Sequence, residues 1–305
     1  MLNTYISACL VDSILGAGVG NCDLKSLGDV LDVSFTTKDV KFATSLTASQ
    51  FETAYNNYVK AGKIIPLGTI FNFEQTTPDN ETSTSSIGIK SDIRQGKPEF
   101  TFTYDKSHCF DNQIASLTGR SLNLIIHTTK GTLLTTNSDG DLKGFDLAYV
   151  AKSAFRLQAG TDPQQSRIML QMSPIGAVEF DTNKKVLDPA NSTFDPATVL
   201  SPLIVDISIV GNLTGSSITV DVKNACSGTP VDAVLADEAF WGLSDQAVTV
   251  TNATDAGDGR YTLTLSGALS AGDTQVLLTD GTYDTVTDAN GVMYTGRSAI
   301  KTATV

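Results

Sequence analysis

The sequence predicts a mainly β protein: an N-terminal domain of β-sandwich or barrel type with one or two helices, followed by a second β-sandwich. Three observations carry that expectation. Phe100-Thr101-Phe102-Thr103-Tyr104 alternates aromatic and threonine side chains, the period-two signature of a strand with one covered face. Residues 203–305 repeat short strand-like runs separated by Gly- and Asp-rich turns. Clean helical spacing is confined to the stretch that begins at Thr47.

At 305 residues the chain has room for two domains, and with 41% hydrophobic residues it can bury a core in each. Its net charge of −12 argues against an electrostatic grip on nucleic acid. The acidity is uneven: 17 basic and 21 acidic residues run through Asp195, against 4 and 12 after it. Cys9, Cys22, Cys109 and Cys226 are scattered without a Cys-x-x-Cys pair, and read as reduced core residues or at most one bridge. Ile14 to Gly20 is apolar, but no Lys or Arg precedes it and Asp12 interrupts, so it does not read as a secretion signal. No run reaches the length of a membrane helix. The expectation is a soluble chain made in a reducing compartment.

Residues 1–45 hold short apolar segments, Leu27 to Val33 the most regular, without deciding between helix and strand. Thr47-Ala48-Ser49-Gln50 fits a capping box, with Phe51, Ala54, Tyr55 and Tyr58 at helical spacing and Gly62 closing the turn. The stretch from Lys63 to Tyr104 then organises the domain. Ile64 to Phe73 and Phe100 to Tyr104 read as two strands of a hairpin, and Glu74 to Pro98 between them is a long polar insert in which Ile87-Gly88-Ile89 is expected as a short strand. A connection of that length is functional or disordered rather than neutral.

Phe110 to Leu117 suggests a short helix, Leu122 to His127 a strand, and Lys130-Gly131 and Asp139-Gly140 turns around Thr132 to Thr136. Leu142 to Leu157 has no clean period. Ile168 to Met172 is a strand with Ile168, Leu170 and Met172 on one face. Asp188-Pro189, Asp195-Pro196 and Ser201-Pro202 mark a domain boundary. The domains are therefore 1–195, with the insert at 74–98, and 203–305, joined by a linker at 196–202.

Strand-like runs at 203–210, 218–222, 248–251, 261–265, 275–278 and 299–305 give the spacing of an immunoglobulin-like sandwich. Asp258-Gly259-Arg260-Tyr261-Thr262-Leu263 resembles the Asp-Gly-x-Tyr corner strand of bacterial and viral immunoglobulin-like modules. Only Cys226 lies in this region, so its core is expected to hold by apolar packing around Trp241, Tyr261 and Leu263.

Chemistry has little to stand on. His108-Cys109 lacks a second Cys/His pair, His127 sits in a strand, and no nucleophile elbow, phosphate loop or dinucleotide fingerprint is present. The acidic turns Asp255 to Asp258 and Asp280 to Asp288 lack the register of a calcium loop and are better explained as turn residues. Asn80, Asn191, Asn212 and Asn252 head Asn-x-Ser/Thr triplets that read as turns in a chain without a signal peptide. No catalytic, cofactor-binding or metal-binding residue is assigned, and an enzyme is not expected.

A β domain with a long polar hairpin insert and one helix, followed by an immunoglobulin-like module, resembles the tail tube proteins of long-tailed bacteriophages. Asp139 to Phe145 and Lys97 to Phe102 look like phage structural sequence. The resemblance implies a virion structural protein made in the host cytoplasm. It further implies self-assembly into hexameric rings, contact with other virion proteins, strands lent to a continuous inner barrel, and a hairpin loop that reaches the next ring. A phage capsid or decoration protein is the alternative, and a cell-surface adhesin or carbohydrate-binding module the second. From the proline-marked boundary, limited proteolysis is expected to cut within 196–202 and release a folded C-terminal fragment of about 100 residues. Cuts scattered through 203–305 would show that no separate module exists.

Overall fold

A computed structural model describes residues 4–5, 29–76, 78, 81–88, 90–94, 96–104, 108–129, 131–136, 139–152, 166–187, 194, 196–211, 213, 215–244 and 247–303. The chain divides into two compact units, Met1–Tyr58 with Lys63–Val199, and Val59–Gly62 with Leu200–Val305. The fold is mainly β, as the sequence predicts.

The first unit opens with β1 (Thr4–Tyr5), β2 (Val30–Thr36), α1 (Ala48–Lys60), β3 (Ile64–Pro66) and β4 (Asn72–Thr76). Next come β5 (Glu81–Thr84), β6 (Lys90–Arg94), β7 (Glu99–Tyr104), α2 (His108–Ala115), β8 (Asn123–Thr128) and β9 (Gly131–Thr136). It closes with β10 (Leu142–Lys143), β11 (Phe145–Lys152), β12 (Ser166–Met172), α3 (Pro174–Thr182) and β13 (Lys184–Leu187). One antiparallel sheet runs β1-β13-β9-β8-β11-β12-β7-β4, with β2 on the other edge of β8 and β3 beyond it.

The capping box of α1 forms as read: the Thr47 amide donates to Gln50 Oε1 at 2.9 Å and the Gln50 amide to Thr47 Oγ1 at 3.3 Å. Gly62 closes the helix at φ +67°. Phe51 and Tyr55 on its buried face pack on Phe42. The expected hairpin forms as β4 and β7, paired from Asn72↔Thr103 to Thr76↔Glu99, but of the expected strand Ile64 to Phe73 only Asn72 and Phe73 belong to it: Ile64–Pro66 is β3 and pairs with β2. Phe100 and Phe102 turn inward to a core shared with Phe35, Leu124, Phe145, Ile168, Leu170 and Met172.

Three features were not read from the sequence. The helix α3 adds to the two the sequence marked: Ser173 caps it by accepting from the Gly176 amide at 2.9 Å, and Pro174 occupies its first turn. Leu142 to Leu157 contains β11, which changes partner midway, pairing Phe145 and Asp146 with β8 and then Leu147 to Lys152 with β12 across a bulge between Leu147 and Tyr149. Within the insert, Ile87 and Gly88 form a turn rather than a strand, Gly88 having φ +83°, and the strands β5 and β6 lie on either side. Ile89 lies outside the described residues, as do residues 6–28 and 153–165.

The second unit contains β14 (Leu203–Val210), β15 (Ser217–Asn224), β16 (Trp241–Leu243), β17 (Val250–Gly257) and β18 (Arg260–Leu265). After them come β19 (Gly272–Thr274), β20 (Val276–Leu278), β21 (Val286–Thr287), β22 (Met293–Ser298) and β23 (Lys301–Ala303). The strand order is β16-β20-β22-β14-β15-β18-β17, with β21 on β22, and β19 pairs β23 separately. The β14–β22 pair is parallel and the rest antiparallel. Of the run expected as one strand at 299–305, Lys301–Ala303 forms β23; Ala299 and Ile300 precede it outside any strand, and residues 304–305 lie outside the described ones.

Trp241 and Tyr261 anchor this core with ring centroids 5.6 Å apart. Each satisfies its polar tip on backbone, Trp241 Nε1 donating to the Leu235 carbonyl at 2.8 Å and the Tyr261 hydroxyl to that of Val231 at 2.6 Å. Cys226 is disulfide-bonded, which is the bridged alternative of the sequence reading and not the reduced one; its partner's side chain is outside the described ones.

The β17–β18 hairpin turns on Asp258-Gly259, with φ of +55° and +72°, the two positive values that a two-residue type I′ turn needs. A Cβ on Gly259 would fall on the Val222 carbonyl oxygen, whereas one on Gly257, at φ +85°, meets open space. Gly257→Ala is therefore expected to cost about 1 kcal/mol from backbone strain alone, and Gly259→Ala roughly 3 kcal/mol. Urea melts of the two variants check the difference; equal costs would show that β15 does not press on the turn.

Candidate interaction surface

The alternation that buries Phe100 and Phe102 directs Glu99 and Thr101 to the opposite face. Register carries that outer face across four strands. One row runs Glu74, Thr101, Met169 and Ala151, and the next runs Thr76, Glu99, Gln171 and Tyr149. All of these residues but Ala151, together with Phe100 and Leu170, line a groove of about 420 Å³. Tyr149 is 53% exposed and Met169 46%. Gln171 Nε2 donates to Glu99 Oε1 at 2.5 Å. Glu74 and Glu99 supply two carboxylates, and among the described residues of the lining none is basic.

Among the described residues β4 pairs only with β7, which leaves its other edge without a strand partner there, and four of its five residues are exposed. The β5–β6 hairpin extends from the same end of the β4–β7 pair. At its tip the Gly88 amide donates to the Ser85 carbonyl at 2.9 Å, and Ile87 is 79% exposed.

Elsewhere the candidate chemistry resolves into structure. Ser34 Oγ lies 2.9 Å from His127 Nε2, a spacing that a nucleophile and its base would share. Both residues are buried, however, and the network closes on itself: the Tyr55 hydroxyl is 2.9 Å from Ser34 Oγ and Thr132 Oγ1 is 3.0 Å from His127 Nδ1. The four residues tie α1, β2, β8 and β9 together, and a substrate has no way in. The acidic turns behave as turn chemistry predicts. Asp255 Oδ1 accepts from the Gly257 amide, Asp280 Oδ1 from those of Thr282 and Tyr283, and Asp288 Oδ1 from those of Asn290 and Val292. Among the described residues no group of three or more His, Cys, Asp or Glu side chains could hold a metal ion. The side chains of His108 and Cys109, and the triplet asparagines Asn80, Asn191 and Asn212, lie outside the described ones; Asn252 is on β17, exposed. No helix among the described residues is long and apolar enough to cross a membrane.

No family model and no curated protein matches the chain. Solved structures it is similar to include the Escherichia coli adhesin FdeC, at 12% identity and a TM-score of 0.23, over 76% of this chain and 62% of that one. Another is Yersinia pseudotuberculosis InvD, at 16% identity and a TM-score of 0.22, over 76% of this chain and 57% of that one. The chain thus spans about three fifths of either length, and superpositions this poor assign neither fold nor role.

Tyr149, Met169 and Gln171 were not singled out from the sequence. Met169 and Gln171 were within reach, as the residues between Ile168, Leu170 and Met172. Tyr149 was not, because the bulge before it interrupts the alternation.

Burial lowers the pKa of His127 from 6.5 to about 3. Because the folded value lies below the unfolded one, this group's contribution to stability is complete above about pH 6.5 and is lost as the pH falls from there toward 3. Between pH 6.5 and 5 the slope is expected to approach about 1.4 kcal/mol per pH unit from this residue. Denaturant melts should show that slope shrinking in His127→Gln; an unchanged slope would mean that His127 is not buried neutral.

Proposed function

We propose that the chain is a structural protein that assembles with copies of itself, as the ring subunit of a phage tail tube. The observation that carries this reading is the open edge of β4 beside a projecting two-stranded insert. An unpaired edge is a template for another chain's strand unless something covers it, and backbone pairing across it gives affinity without a dedicated side-chain site. A two-stranded ribbon is marginal alone, so β5 and β6 gain from a neighbour. The net charge of −12 suits a conduit that DNA passes without sticking. In this reading the protein belongs to the virion, is made in the host cytoplasm and contacts other virion proteins. A capsid or decoration protein would use the same edge in a shell.

A surface adhesin is the second reading, and the bonded state of Cys226 favours it, because disulfides persist in oxidising compartments.

Negative-stain imaging of the purified protein across a concentration series is expected to show stacked rings or tubes; shells would select the capsid reading. Replacing Thr76 to Gln95 with Asn-Gly should leave a monomer of unchanged melting temperature that no longer assembles. A wild-type chain that stays monomeric at every concentration would overturn the proposal.

A further inference from the structure

We infer that Lys152 and Asp111 condense into a side-chain amide, a covalent tie between β11 and α2 inside the first unit. The inference does not depend on the assembly reading.

Both groups sit where charge is out of place. Period two along β11 puts Lys152 on the face of Val150, and pairing sets Val150 opposite Leu170 and Lys152 opposite Ile168, whose own partner is Phe102. Val150, Leu170, Ile168 and Phe102 are core residues, so Lys152 starts from the covered face of the sheet. On α2, Asp111 precedes Ile114 by three residues, which is the same side of a helix, and Ile114 is buried in that core. Asp111 is fully buried, and its neighbour Phe110 packs on Tyr104 with ring centroids 5.2 Å apart. The Lys152 amine is in contact with Asp111 Oδ2, its own side chain 23% exposed.

As an ion pair this arrangement is poorly compensated. A buried carboxylate keeps its charge at low cost only when hydrogen bonds fill its remaining lone pairs. Among the described residues neither Asp111 oxygen accepts a hydrogen bond of good geometry, and Lys152 is the one cation paired with it. An amide in the same place carries no charge.

The chemistry needs nothing beyond the two side chains. Oδ2 is bonded to Cγ, so a nitrogen touching it stands next to the carbon that it attacks. Within the pair one ammonium proton passes to Oδ2, and the freed lone pair of Nζ forms the bond to Cγ. The Cγ–Oδ2 bond breaks as a second proton leaves the nitrogen for that oxygen. Ammonium and carboxylate thus become one secondary amide and one water, with no oxidant consumed. In free solution water reverses such a condensation. Two well-oriented groups held by a fold reach effective molarities on the order of 10⁵ M or more, above any concentration of water. The exposed part of the Lys152 side chain gives the released water a way out. The tie closes the chain from Asp111 to Lys152 into a loop that includes β8, β9, β10 and the bulge of β11, and a loop of that length narrows the unfolded state.

The test is intact mass and tryptic mapping of the full chain with its disulfides reduced. After incubation of the folded protein, the wild type is expected to lack one water from its sequence mass. Trypsin, which does not cut after an acylated lysine, is expected to release a branched peptide that joins Lys152 to Asp111. Lys152→Arg keeps a cation beside the carboxylate but has no attacking amine; it is expected to fold, to keep its full mass, and to melt several degrees lower than the wild type. Should Lys152→Arg fail to fold, Lys152→Gln takes its place, and the wild-type peptide map decides by itself in either case. A wild-type chain with full mass and separate, unbranched peptides would overturn the inference and leave an ion pair. Loss of the same water in Lys152→Arg would also overturn it, since the tie would then lie elsewhere.

Discussion

The outer face depends on the place where β11 changes partner. Two residues of that strand pair with β8, the bulge after Leu147 bends the chain, and the remainder pairs with β12. Helix α3 is seated on the bend so closely that a Cβ on Gly176 would clash with the Asp146 carbonyl oxygen at 2.0 Å, and the Ser173 amide donates to that oxygen at 3.0 Å. Charges hold the same point. Burial by itself would raise the Asp146 pKa, but hydrogen bonds from Lys38 and Ser173 outweigh it and the net shift is downward. Lys143 pairs with Glu179 of α3 at 2.6 Å, both side chains mostly buried. A bulge fixed on both sides in this way sets the angle of the β4-β7-β12 ribbon, and so the shape of the groove.

How much could be read from the sequence follows from how regular each element is. β7, β12 and α1 were legible because one strict period runs through each, and in α1 the capping residues Thr47 and Gln50 agree with it. β11 was not, since one extra residue at its bulge moves Tyr149 onto the wrong phase for its neighbours. Helix α3 begins Pro-Ile-Gly-Ala-Val, with Ile175 and Val178 exposed, so it shows no polar stripe; Ser173-Pro174 was the one usable signal. The insert inverted the usual rule. Its strand β5 is Glu-Thr-Ser-Thr, without an apolar residue, while Ile87 is in the turn, so hydrophobicity pointed to the wrong segment.

In the second unit the same logic worked better, because local chemistry and tertiary packing agree. Asp258-Gly259 specifies a type I′ turn by itself, and Gly259 is also the only residue that fits beneath the Val222 carbonyl. The carboxylates that suggest calcium to a reader of the sequence are committed to amides of their own turns, Asp288 additionally to the Tyr294 hydroxyl at 3.3 Å. An oxygen that already caps a turn is a poor ligand, since a cation would have to compensate for the turn it breaks.

The first unit therefore separates what it seals from what it leaves open. Around His127 the hydroxyls of Ser34, Tyr55 and Thr132 and both ring nitrogens find partners within the core, and burial keeps the imidazole neutral. At the far edge of the same unit, among the described residues, β4 pairs on one side, β5 and β6 pair with each other, and Ile87 is exposed. Fixing each residue of that insert costs about 1 to 2 kcal/mol of backbone entropy, and a two-stranded ribbon recovers little of it through apolar burial. A strand added to β4 from outside would supply backbone pairing that this edge lacks among the described residues.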